Sequence, residues 1–271
     1  LKGLKLHTHN ITAVVTVADD GGSSGILRSD LGMLAPGDVR NCVSALAEVD
    51  PVMGELLNFR FKDGSLKGHS LGNLFLAALN ETSSSFDEAV KKFSHLTGVV
   101  GTVYPVTNES VTLSALLEDG RLIEGESHIG VHHDGPKNGI VKLMVNPEKP
   151  KAVDGVIKAL EKADIIVLGP GSLYTSIIPN LLVDGVVDAI KKSNAVKIYV
   201  CNIMSQAGET ENYTVSDHLA AIERHSYEGI ADIVIANNAI IPESLRIKYA
   251  SEHAREVMID SINVLKRAKL V

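Results

Sequence analysis

Four short runs of valine, isoleucine and leucine constrain this chain's fold more than any other feature. Residues 11–18 (ITAVVTVA), 164–168 (DIIVL), 196–201 (VKIYVC) and 233–236 (IVIA) are apolar without polar alternation. That pattern predicts strands buried on both faces, as in a parallel sheet. Segments of helical period fall between them: 39–49, opened by Pro-Gly-Asp, then 69–79, 86–96, 153–162, 181–191 and 216–225. Strands alternating with helices predict βαβ units and a doubly wound, mainly parallel α/β sheet. One stretch breaks the rhythm. Residues 98–129 are rich in β-branched residues and carry the turn signal Glu-Asp-Gly-Arg, which predicts an inserted β-hairpin. A loop over 132–139 and a returning strand from 140 complete a β-rich excursion over about 98–145. No internal repeat or low-complexity linker divides the chain, so it reads as a single α/β domain over 1–271.

Composition narrows the function classes. A net charge of −7 with no Lys/Arg-rich run argues against a nucleic-acid partner. Two distant cysteines fit a reducing compartment without a disulfide framework. No apolar run reaches the ~18 residues of a membrane helix and no signal peptide opens the chain, so a cytoplasmic location without membrane insertion is expected. The opening LKGLKLHTHN reads like the tail of a helix, and a strand with a Gly-rich loop is expected before residue 1.

The residues able to carry chemistry gather where strands end, which is where open α/β sheets bind ligands. After the first strand comes Asp19-Asp20-Gly21-Gly22-Ser23-Ser24-Gly25. Its glycines permit a tight turn with exposed N–H groups, and its serines add hydroxyls that suit a phosphate. Asp19 and Asp20 either hold a Mg²⁺ that bridges phosphates, accept hydrogen bonds from a sugar, or merely close an Asx turn. The stretch 35–41 brings Gly37, Asp38, Arg40 and Asn41 to a helix start. Asp38 reads equally as a cap. Arg40 is a cation where the helix dipole disfavours one, so it needs a carboxylate partner or a bound phosphate. His69, Ser70 and Asn73 open the apolar helix 69–79 beside Gly68 and Gly72. Small and polar residues there point to close approach of a backbone or ligand, although His69 alone more often caps a helix or fills a core.

After the strand at 164–168 come Gly169-Pro170-Gly171-Ser172, then Tyr174, Thr175 and Asn180. Two glycines around a proline fix a turn and present hydroxyls at a helix start. Tyr174 is expected to turn its ring toward a ligand, and Asn180 either touches ligand or caps the next helix. The segment after residue 200 adds Asn202, Glu209 and Thr210. There is no G-K-[ST], so an ordinary P-loop ATPase is disfavoured, and no G-x-S-x-G nucleophile elbow. His132, His133 and Asp134 lack a second spaced ligand pair and read as a solvated loop rather than a metal site.

Taken in order, TVADDGGSSG, APGDVRN, GHSLGNL, GPGSLYTSIIPN, CNIM and GETENYTVSDH resemble the gluconeogenesis-factor family of the 2-phospholactate-transferase-like superfamily, from residue 11 to about 254. The resemblance implies a Rossmann-like fold and a UDP-sugar ligand, UDP-N-acetylglucosamine first. It also implies a regulator that ties carbon metabolism to cell-wall precursor supply and cell shape. Implied partners are an enzyme of amino-sugar synthesis and a second copy of the chain in a homo-oligomer. The transferase branch of the superfamily would instead join a phospholactyl nucleotide to a deazaflavin with Mg²⁺. A deazaflavin site wants a broad aromatic surface, whereas this chain has no Trp and 4% aromatics. Because GETENYTVSDH and GPGSLYTSIIPN resemble the factor branch more than the transferase branch, the resemblance makes a non-catalytic regulator the leading expectation and a Mg²⁺-dependent transferase the alternative.

Overall fold

The computed structural model describes residues 1–130 and 139–271. Contacts divide the chain into two compact units, 1–111 with 150–156, and 112–149 with 157–271. His132, His133 and Asp134 lie outside the described residues.

In the first unit, β1 (Thr12–Val15) pairs in parallel with β2 (Thr102–Pro105), Thr12 opposite Thr102. Five helices come between them: α1 (Gly22–Leu31), α2 (Gly37–Leu46), α3 (Pro51–Asn58), α4 (Leu71–Glu81) and α5 (Phe86–Leu96). Side-chain oxygens of Asp50, Ser70 and Ser85 cap α3, α4 and α5 by accepting backbone N–H groups. Val39, Val43, Leu46, Leu76, Val90 and Phe93 face inward and form this unit's core. Residues 102–105 therefore belong to a parallel pair, not to the predicted hairpin.

The hairpin itself is present in the second unit. β3 (Thr112–Leu117) pairs antiparallel with β4 (Leu122–Glu124) on one side and with β5 (Ile140–Asn146) on the other. A short α6 (Glu126–Ile129) follows β4, and α7 (Asp154–Lys162) leads into the second sheet. That sheet runs β6 (Ile165–Leu168), β7 (Val196–Val200), β8 (Ile233–Ile235) and β9 (Lys269–Leu270), all parallel. Between β6 and β7 lie a π-helical turn at Leu173–Ile177, α8 (Ile178–Leu181) and α9 (Val186–Lys192). After β7 come α10 (Val215–Arg224), α11 (Glu243–Ser251) and α12 (Ser261–Val264). Parallel strands joined through helices make this a Rossmann-like α/β fold.

Two expectations change. The helix expected over 181–191 is broken at Gly185, whose φ of +86° suits glycine and serves as the N-cap of α9. β6 is not covered on both faces: Ile166 and Leu168 are buried, while Ile165 and Val167 are 57% and 40% exposed. A continuous apolar run shows that a strand can be covered twice, not that it is.

Candidate functional site

The candidate residues form two clusters, one in each unit. In the first unit, Asp19 Oδ1 accepts from Gly21 N at 2.9 Å, so the Asx turn is real. Helix α1 starts inside the predicted loop: Gly21 is its N-cap, and Ser23 and Ser24 are buried in its first turn. The chain folds tightly enough here that a Cβ on Gly25 would stand 2.1 Å from the Asp20 carbonyl oxygen. Arg28, which the sequence reading overlooked, donates through Nη1 to the carbonyls of Ala18 (3.0 Å) and Asp19 (3.1 Å). Nothing in the sequence flags it, because a helical arginine is ordinarily solvated.

Behind the loop lies a buried polar network. Ser23 Oγ is 2.9 Å from His69 Nδ1, and Asn73 Nδ2 donates to the same oxygen at 3.1 Å. Ser70 caps α4 by accepting Asn73 N at 3.2 Å. Arg40 donates from Nε to Asn73 Oδ1 (3.3 Å) and from Nη1 to Asn58 Oδ1 (2.8 Å). Among the described residues these amides are Arg40's hydrogen-bond partners, and the carboxylate that acts on it is Asp38, through charge rather than a hydrogen bond; Arg40 is 7% exposed. Burial lowers its pKa, with Arg60 adding to the effect and Asp38 opposing it.

Asp38 is pushed up from the ordinary carboxylate range, first by burial and then by the charge of Asp19. The charge of Arg40 opposes this first, and the side chain of Asn41 adds to the opposition by hydrogen bonding to Asp38. A Cβ on Gly37 would stand 3.0 Å from Asp19 Oδ2, which places that oxygen against the start of α2. Asp38, eighteen residues beyond Asp20 in the chain, thus couples electrostatically to Asp19.

In the second unit, Asn202 clasps the loop after β6: it accepts Gly171 N at 3.3 Å and donates to Gly171 O at 2.8 Å. Gln206, another residue not anticipated, donates through Nε2 to Ser172 Oγ at 2.7 Å and lies 3.5 Å from Glu209 Oε1. Glu209 is 6% exposed and accepts Tyr174 N through Oε2 at 3.2 Å. Burial pushes its carboxyl up to about 7, opposed by that hydrogen bond. Thr210 is fully buried, and its Oγ1 accepts Gln206 N at 2.9 Å. Thr175 is buried in the π-helical turn.

Tyr174 needs a correction. Its ring is fully buried, and its hydroxyl meets Ile140 O (3.1 Å) and Tyr213 (2.9 Å). The ring is core, and only its backbone N–H faces the polar cluster. Asn180 caps no following helix; inside α8 its Nδ2 donates to Ser176 O at 2.7 Å.

The sequence model of the family described as 2-phospho-L-lactate transferase CofD matches residues 1–270. A gluconeogenesis factor of Thermoanaerobacterium thermosulfurigenes is 52% identical over 260 residues, covering 96% of this chain and 80% of its own. The chain belongs to the gluconeogenesis-factor branch of the CofD family. A similarly named relative from Clostridium acetobutylicum is 50% identical over 96% of this chain, which spans 58% of that protein's length. The gluconeogenesis factor of Bacillus subtilis is 45% identical over 263 residues. The crystal structure of a UPF0052 family member from Bacillus halodurans superposes with a TM-score of 0.95 at 44% identity, covering 100% of this chain and 86% of that one. This branch member carries no described helix long and apolar enough to cross a membrane.

Proposed function

We propose that this chain binds a nucleotide sugar, with UDP-N-acetylglucosamine the leading ligand, and acts as a regulator rather than as a catalyst. The observation that carries the reading is Arg40: a buried guanidinium whose hydrogen bonds go to two amides, with Asp38 as a charged neighbour. Burial and Arg60 together outweigh the charge of Asp38 at this cation, and a ligand phosphate would supply further counter-charge. Family membership supports the regulatory half, since relatives are named gluconeogenesis factors rather than for a reaction. On this reading the protein works in the cytoplasm as a homo-oligomer and passes the signal to an enzyme of amino-sugar synthesis. Carbon flux is thereby linked to wall-precursor supply and cell shape.

A second reading, a Mg²⁺-dependent transferase of the 2-phospholactate type, is favoured by the Asp19–Asp38 pair. Two carboxylates with phosphate oxygens and waters suit Mg²⁺. No cluster of three or more His, Cys, Asp or Glu occurs among the described residues. Asp19 and Asp38 would hold the ion, with Asp20 next in the chain, and the ion would neutralise phosphate charge. The Ser23–His69 pair would orient a ligand oxygen. Calorimetric titration with UDP-N-acetylglucosamine, ATP and GTP, with and without Mg²⁺, separates the readings. Tightest binding of the UDP-sugar supports the first; equal or tighter binding of GTP, dependent on Mg²⁺, supports the second.

A further inference from the structure

The second unit holds a cavity of about 530 Å³ whose lining includes none of the glycine-loop residues. It lies where the chain leaving β7 is strapped to the chain leaving α11. Ser205 N donates to Arg255 O at 2.7 Å, Arg255 N donates to Ser205 Oγ at 3.0 Å, and Val257 N donates to Ile203 O at 3.0 Å. The strap brings Arg255, His253 and Ser205 to the same wall as Glu211 and Asn212. Asn212 and His253 both adopt the left-handed region, with φ of +62° and +56°.

The charges in the cavity are opposite but unpaired. The Arg255 guanidinium has no hydrogen bond or ion pair among the described residues. Glu211 uses Oε1 to accept Gly208 N at 3.3 Å, and its other oxygen has no described donor. A cation beside a carboxylate and an amide matches a ligand with a phosphate at one end and hydroxyls at the other. Arg is the side chain best shaped for phosphate, and carboxylates accept sugar hydroxyls. The volume falls within the ordinary range for small-molecule sites.

We propose that this cavity is a second binding site, for a sugar phosphate, with Arg255 on the phosphate and Glu211 and Asn212 on the hydroxyls. The proposal does not depend on the nucleotide-sugar reading. The test is calorimetry on the full chain with three probes: glucose 6-phosphate, inorganic phosphate and glucose. UDP-N-acetylglucosamine is titrated in parallel. Glucose 6-phosphate is expected to bind at least tenfold more tightly than either fragment. Arg255→Ala should weaken it at least tenfold, Arg255→Lys should restore part of the loss, and Glu211→Gln should narrow its advantage over inorganic phosphate. Because Arg255 is exposed, these variants should keep the wild-type melting temperature. Binding of glucose 6-phosphate with this Arg255 dependence upholds the proposal even where the UDP-sugar does not bind. Unchanged affinity in Arg255→Ala, or no binding of any probe, overturns it. Displacement of glucose 6-phosphate by the UDP-sugar, with both lost in Arg255→Ala, also overturns it, because the cavity would then belong to the nucleotide-sugar site.

Discussion

Replacing Glu209 by Gln should make the protein more stable at neutral and alkaline pH. The carboxyl of Glu209 is buried against Tyr174 N and Gln206, and burial raises its pKa from 4.5 to about 7. An unfolded chain loses that proton near 4.5, whereas the folded chain keeps it to about 7. Between those values the folded state binds more protons, so this residue's contribution to stability falls as pH rises. At 1.36 kcal/mol per pH unit, the interval costs the fold about 3 kcal/mol by pH 8 and less than about 1 kcal/mol at pH 5. Gln keeps the shape and an acceptor for Tyr174 N but carries no charge. Denaturant unfolding of wild type and Glu209→Gln at pH 5, 6, 7 and 8 measures the difference, in which contributions from other titrating groups cancel. The variant should gain about 3 kcal/mol at pH 8 and little at pH 5. A variant less stable than wild type at every pH, or one with the wild-type pH dependence, would refute this account of Glu209.

Asn73→Ala should cost about 2–3 kcal/mol, since it strips Arg40 Nε and Ser23 Oγ of a buried partner; urea unfolding at pH 7 checks it, and a loss under 0.5 kcal/mol would count against the network. His225 accepts Leu143 N at Nε2 (2.8 Å) and faces Ala221 O at Nδ1 (2.7 Å), and burial lowers its pKa as it does that of His218. Both bind protons less readily folded than unfolded, so stability they supply above about pH 6.5 should be lost as pH falls below it, and His225→Asn should flatten that decline in a pH series of melting temperatures. Asp38→Asn should weaken any Mg²⁺-dependent component of ligand binding at least tenfold while relieving the repulsion from Asp19; calorimetry at fixed ligand with varied Mg²⁺ reads the effect.

Most of the α/β framework was legible because burial writes itself into period. The four apolar runs became β1, β6, β7 and β8, and helix α5 matched its predicted limits of 86 and 96. What escaped was anything decided by tertiary neighbours. Residues 102–105 look like hairpin sequence, yet β1 offers them a parallel partner. The Gly-Ser stretch reads as loop, yet Gly22 begins a helix because the chain behind it closes onto Asp20. Tyr174 sits beside hydroxyl-bearing residues, so sequence alone could not distinguish a stacking ring from a core ring; Tyr213, thirty-nine positions away, decides the matter. The site showed the same division. Asp19, Asp38, Arg40, His69 and Asn73 were recognisable from residue type at strand and helix ends. Arg28, Asn58 and Gln206 were not, since each acts through a contact that no spacing rule encodes.

The central claim is that a nucleotide sugar is held by the glycine loop at 19–25 together with Arg40, and hydrogen–deuterium exchange of the free and saturated protein tests it directly. With UDP-N-acetylglucosamine bound, the account predicts slowed exchange of backbone amides in 19–25. Slowing confined to other segments, with 19–25 exchanging as in the free protein, would contradict it.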